Sequence, residues 1–246
     1  MVGSFAGAMS LGFALEIGVR GVIGHDAGVG RDDAGVSGLA LADRLGVPAA
    51  AVGARSARIG DGECVYVEGV VSHANHCAAA LGVTPGQKAA DAAEAMLGAR
   101  VGVPAPEPLV DRHQRIALES ASGRVVLVDS MLFAGLENHD DVVCAGSHGG
   151  RVNMARALEI RPRGALFSDG GDSRERSGVN GLPLLDAVEV PAAAVDATRA
   201  RIGDAASTWA DGVISAVNDA ARRAGVAPGQ AAAVAARAML ARPRMA

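Results

Sequence analysis

The sequence predicts an α/β protein: a tandem duplication of a βαβαβα unit with a parallel, Rossmann-like sheet, and a β-hairpin inserted between the copies. Three observations lead there. Ala57-Arg58-Ile59-Gly60-Asp61 recurs letter for letter as Ala200-Arg201-Ile202-Gly203-Asp204, and the match runs without a gap from Gly3/Gly146 to Leu97/Leu240 at an offset of 143 residues, with close to half the positions identical. Short apolar runs alternate with helical patterns, as in βαβ crossovers. The runs Pro48–Val52 and Pro191–Val195 are apolar throughout, as strands covered on both faces are.

The second copy shows its elements most fully. Val142–Ala145 reads as a buried strand, followed by a glycine-rich turn, Gly146-Ser147-His148-Gly149-Gly150, and a helix from Arg151 to Ile160. Gly164–Phe167 is a second strand, ending at Ser168-Asp169-Gly170-Gly171, and Ser177 caps a helix that runs to Val188. Pro191–Val195 is the third strand, followed by the Arg201–Asp204 loop. A longer helix, about Thr208 to Ala224, ends at Gly225, and Pro228 opens the last one. The first copy repeats this order, with helix Gly7–Ile17, strand Gly21–Gly24, loop His25–Gly30, helix Asp33–Leu45, strand Pro48–Val52 and a helix reaching Leu81. It has no counterpart of the first strand, so the edge of its sheet needs a cover, either the hairpin or a second chain. Between the copies, Val101–Pro108 is proline-rich linker, and Arg115–Glu119 with Arg124–Val128 forms the hairpin. The expected organisation is repeat one at 1–100, linker and hairpin at 101–141, and repeat two at 142–246.

Composition narrows the function. Half of the 246 residues are hydrophobic, enough for a sizeable core. Aromatic residues are only 2%, too few for base-stacking platforms, and the net charge of −4 does not suit a phosphate-backbone binder, so nucleic acid is not an expected partner. No run approaches the ~20 apolar residues of a membrane span. The apolar start lacks a basic n-region and is interrupted by Glu16 and Arg20, unlike a signal peptide. Three cysteines without motif spacing, Cys64, Cys77 and Cys144, suggest a reducing compartment. The expectation is a cytoplasmic protein that takes a small-molecule substrate and is compatible with a homo-oligomer.

In open parallel sheets ligands sit at the carboxyl ends of the strands, and the three loops of each copy converge there. Gly146, Gly149 and Gly150 allow backbone amides to approach an anion, unless the segment is simply a tight turn. Ser147 is a candidate nucleophile or donor, and His148 a candidate general acid or base where the first copy has Phe5. Asp26 and Asp169 end the second strand of each copy, facing a ligand or holding their own loops. Arg58 with Asp61, and Arg201 with Asp204, are the strongest shared pair: the aspartates suit helix caps, and the arginines suit a carboxylate or phosphate clamp or an internal brace. Ser72 and Asn75, repeated as Ser215 and Asn218, fall three apart, on one face of the helix expected there. Gly35, Gly38, Gly178 and Gly181 suggest close packing of a helix on the sheet. The His73–Cys77 segment lacks zinc-site spacing, so no metal and no other cofactor is expected. The expected activity is that of an enzyme on a small anionic metabolite, of hydrolase or lyase type, catalysed by His148, Ser147 and Asp169. The alternatives are a non-catalytic binding or regulatory module and a structural pseudo-dimer.

Overall fold

The computed structural model describes residues 1–242 and divides the chain into two units. The first comprises Met1–Asp111 together with the short segment Asp172–Arg176; the second comprises Arg112–Gly171 and the chain from Ser177 onward. Both are α/β.

The first unit contains α1 (Ala8–Glu16), β1 (Val22–His25), α2 (Gly38–Arg44), β2 (Ala49–Val52), α3 (Gly62–Val67), β3 (Val71–Ala74), α4 (His76–Ala79) and α5 (Ala89–Met96). Its sheet has the order β1-β2-β3, with β1 parallel and β3 antiparallel to β2. An extended lead-in follows β1: Val2 N donates to Ile23 O, His25 N to Ser4 O, and Phe5 bridges His25 in parallel.

The second unit contains β4 (Arg115–Ser120), β5 (Gly123–Val128), β6 (Val142–His148), α6 (Arg151–Ile160), β7 (Gly164–Ser168), α7 (Leu182–Asp186), β8 (Ala192–Val195), α8 (Ala205–Asp211), β9 (Ile214–Val217), α9 (Asp219–Arg223) and α10 (Ala232–Ala241). Its six strands lie in sequence order; β5 to β8 are parallel, and β4 and β9 are antiparallel edges. The central strands are buried on both faces, and alternate residues feed two cores. Val142, Cys144 and Leu166 pack with Ala232, Ala236 and Met239 of α10. Val143, Ala165 and Phe167 face the other way, onto Met154 and Ile160 of α6 and Leu185 of α7. Full burial of each large side chain stabilises by about 1.5–3 kcal/mol.

Four expectations need correction. The long helix over 208–224 is a helix, a strand and a helix, and the first copy's helix to Leu81 is divided in the same way. The break is at Gly212 and Gly69, where a Cβ would run into Thr208 O and Val65 O; the β-branched pairs Val213-Ile214 and Val70-Val71 then start the strand. The six-stranded sheet is therefore mostly parallel with an antiparallel strand at each edge, and the three-stranded sheet has one parallel and one antiparallel pairing. Gly146, Ser147 and His148 belong to β6, not to a loop, and His25 belongs to β1. The hairpin does not cover the first sheet: β5 lies parallel to β6, register Val125↔Val142 to Val128↔Ala145, and extends the second.

Segments related by the 143-residue offset share local geometry. Ala50↔Ala74 and Ala51↔His73 correspond to Ala193↔Val217 and Ala194↔Ala216. Asn75 Oδ1 accepts from Ala49 N and Ala78 N, and Asn218 Oδ1 from Ala192 N and Ala221 N, all at 2.9 Å. The two asparagines thus cap α4 and α9 and pin the adjacent strand, so they are core groups.

Candidate functional site

The recurring Ala-Arg-Ile-Gly-Asp segment is a compact structural loop. Its alanine and isoleucine are buried, and its glycine takes φ 90° at Gly60 and 83° at Gly203, the left-handed region that glycine tolerates. Asp61 Oδ1 caps α3 through Cys64 N, and Asp204 Oδ1 caps α8 through Ser207 N, both at 2.9 Å. The second carboxylate oxygen takes the arginine: Arg58 Nε and Nη2 reach Asp61 at 3.2 and 3.1 Å, and Arg201 Nε and Nη2 reach Asp204 at 3.0 and 2.9 Å. The bond from Cys64 N, then the Arg58 guanidinium, holds the Asp61 carboxyl below its ordinary value, and Asp61 in turn raises Arg58. Gly60 N donates to Gly3 O at 2.7 Å and Gly203 N to Gly146 O at 2.8 Å. A Cβ at Gly146 would stand 2.6 Å from Asp204 N, which explains a glycine there.

Arg58 has further carboxylate neighbours in its own unit, Glu175 at 3.2 Å and Glu68 at 3.9 Å. The Asp172–Arg176 segment is held there by Arg174 N donating to Ala54 O, by the Arg174–Glu68 ion pair and by Arg55–Asp172. Arg58, Asp61, Glu63, Cys64, Val67 and Glu68 line a recess of about 140 Å³.

The amides of the Gly146–Gly150 segment are largely engaged. Gly149 N donates to Ser168 O at 2.9 Å, Gly150 N to His148 Nδ1 at 3.1 Å, and the next amide, Arg151 N, to Asn180 Oδ1 at 3.0 Å. Ser147 Oγ accepts from Met131 N at 3.1 Å, and His148 is 1% exposed. In this conformation Ser147 and His148 brace the end of β6. His25 does the same for β1: Nδ1 accepts from Ala27 N and Nε2 donates to Ala57 O, both at 3.0 Å, while burial holds its pKa below the ordinary value. Gly35 and Gly178 admit the carbonyls of Asp26 and Asp169, and Gly38 and Gly181 admit Ala6 O and Gly149 O; the glycines serve close packing.

The carboxyl ends of β1 and β7 carry the strand-end carboxylates, Asp26 buried and Asp169 part-buried. Asp26 Oδ1 accepts from Gly28 N at 2.9 Å, and Oδ2 accepts from Ser72 Oγ of β3 at 2.8 Å. Asp169 Oδ1 accepts from Gly171 N at 3.0 Å and Ala197 N at 3.1 Å, and the hydroxyl of Ser215 of β9, which donates to Ala194 O at 3.3 Å, stands near enough to favour the charged carboxylate. Burial raises the Asp169 carboxyl above its ordinary value, against the Ser215 hydroxyl and the bonds from Gly171 and Ala197. Each unit therefore sets a strand-end carboxylate beside a hydroxyl two strands away, and in the first unit the two are hydrogen-bonded. The repeat had singled out Ser72 and Ser215, but a helical reading of their segments separated them from the aspartates. His73 is half-buried beside Ser72, a proximity that its place in the His73–Cys77 segment does not reveal. Among the described residues no group of three or more histidine, cysteine and acidic side chains could hold a metal, and no helix is long and apolar enough to cross a membrane.

Comparison with protein-family models, with curated proteins and with solved structures finds no match.

Proposed function

We propose that the chain is an enzyme acting on a small anionic metabolite, carboxylate- or phosphate-bearing, by hydrolase- or lyase-type chemistry. The observation that supports this is a strand-end carboxylate beside a hydroxyl at the carboxyl end of each parallel set, Asp26 bonded to Ser72 Oγ at 2.8 Å and Asp169 with Ser215 nearby. This is the edge where α/β sheets bind ligands. A buried carboxyl raised above its ordinary value, as at Asp169, suits proton transfer. Arg58 and Arg201, part-exposed on their aspartate braces, are the groups to meet the anionic end of the substrate. In this reading the two units descend from tandem duplication of one Rossmann-like ancestor, and the protein works in the cytoplasm, where a homo-oligomer is compatible with it.

The test is turnover of a panel of phosphate monoesters and 2-hydroxy carboxylates followed by NMR, with Asp26→Asn and Asp169→Asn. Loss of turnover with the fold retained supports the enzyme. A second reading, a non-catalytic binding module, is favoured by one observation: the Gly149 and Gly150 amides and the buried His148 are already used internally. Binding without turnover anywhere in the panel would select it.

A further inference from the structure

The first unit differs from the second at the residues around this pair. Beside Ser72 stands His73, where the second unit has Ala216; at the end of β2 stands Gly53, where the second unit has Asp196, which accepts from Thr198 N and Oγ1. A Cβ on Gly53 would lie 3.7 Å from Ser72 Cβ and 3.9 Å from Asp26 Oδ2, so the glycine leaves the carboxylate–hydroxyl pair less covered. His73 Nδ1 is 3.1 Å from Ser72 Oγ, and both residues are half-buried, while Asp26 is 5% exposed.

These contacts fix the direction of every proton. Ser72 Oγ has one hydrogen and three groups in reach that could accept it: Asp26 Oδ2 at 2.8 Å, Ala51 O at 3.2 Å and, in one tautomer, His73 Nδ1 at 3.1 Å. The carboxylate is nearer and charged, so it takes the hydrogen. The hydroxyl oxygen then offers His73 only a lone pair, and Nδ1 must carry a proton to use it. Nε2 is left bare. We propose that Asp26, Ser72 and His73 form a proton relay in the first unit with His73 Nε2 as a general base, an acid–base site with no counterpart in the second unit. The relay rests on the enzymatic reading only for its purpose.

The substrate class is a small molecule with an acidic hydroxyl or an activated C–H. Its proton passes to Nε2, the bonding pair stays on the substrate oxygen or carbon, and the imidazolium forms on the chain that ends at the Asp26 carboxylate. His73 is the catalytic residue; Ser72 and Asp26 are positioning residues.

The experiment is long-range proton–nitrogen correlation of the histidine rings in the full chain at about pH 8, above the unperturbed imidazole pKa of about 6.5. His73 is assigned by its loss in His73→Gln, and His76, whose Nδ1 donates to Asp43 Oδ2 at 2.8 Å, serves as the reference for a protonated Nδ1. The expected wild-type pattern is a protonated Nδ1 and a bare Nε2. Ser72→Ala should convert it to the protonated-Nε2 pattern that an unconstrained histidine prefers, and Ser72→Thr should restore it. Diethyl pyrocarbonate, which acylates bare ring nitrogen, should modify His73 several-fold more slowly in Ser72→Ala than in wild type. A protonated Nε2 in the wild type, or a pattern indifferent to Ser72→Ala, overturns the proposal. No substrate is used, so the relay and the metabolite reading fail separately.

Discussion

Replacing Gly146 by alanine tests the packing of the recurring loop on the first strand of the second unit. A methyl group at this position would stand 2.6 Å from Asp204 N, 2.8 Å from Gly203 C and 3.0 Å from Ala205 N. All three are backbone atoms, so no side chain can swing aside. Forcing the strand and loop apart costs about 1–3 kcal/mol, as overpacking does, and stretching the bond from Gly203 N to Gly146 O adds about 1 kcal/mol. The expected loss is about 2–4 kcal/mol. Gly229→Ala is the control: its φ of 89° strains an alanine, but nothing lies within 4 Å of the new carbon. That change should cost only about 1–2 kcal/mol. The single tryptophan, Trp209, sits in α8, which Asp204 caps, so urea unfolding followed by its fluorescence reports on the affected unit. If Gly146→Ala proves no less stable than Gly229→Ala, the close approach does not explain the glycine.

Asp204→Ala removes the cap on Ser207 N and the partner of Arg201, and should lower stability by about 1 kcal/mol in the same assay. Asp169→Asn should be at least as stable as wild type at pH 7. A carboxyl raised in the fold contributes stability below its unfolded pKa of about 3.9 and loses it as pH rises through the folded value, so the neutral amide escapes that loss; calorimetric unfolding at pH 7 checks this, and a less stable Asp169→Asn would count against it. His25 has the opposite sense. Its pKa is lowered in the fold, so its contribution is complete above the unfolded value of about 6.5 and is lost as pH falls toward the folded one. The His25 ring should therefore be mostly neutral by NMR at about pH 6.5, where an unperturbed imidazole is half protonated, and a ring half protonated or more there would contradict the burial argument.

Much of this architecture was legible in the sequence. The all-apolar runs before the Arg-Ile-Gly-Asp loops read as buried strands, and the apolar run Val125–Val128, set off from Arg115–Glu119 by the short turn Ser120–Gly123, reads as the second strand of a hairpin. Asp204 as a cap near Ser207 followed from its place just before a helix. The β3 and β9 strands were hidden because they mimic a helix: in β9 the buried positions are Ile214 and Val217, three apart, and the residues between them are at least partly exposed. Short edge strands with one polar face carry little periodicity, and Asn218, which opens α9, makes the following residues look like a continuation. The glycine-rich stretch was misleading for a different reason. Its glycines suggest freedom for a ligand to approach, whereas Gly146 admits the chain's own backbone at Gly203 and Asp204. Burial of His148 could not be read from a turn-like pentapeptide. Only tertiary packing closes it off.

The proposed function depends most directly on whether the part-exposed arginines of the recurring loops receive an anion. Isothermal titration of inorganic phosphate and of malonate into the wild-type chain, Arg58→Gln and Arg201→Gln measures this, with circular dichroism to establish that each variant is folded. The account predicts saturable binding by the wild type that is weakened at least ~10-fold, a loss of about 1.4 kcal/mol, in one or both variants. Binding of both anions that is unchanged in Arg58→Gln and in Arg201→Gln, or no saturable binding to the wild type, would contradict it.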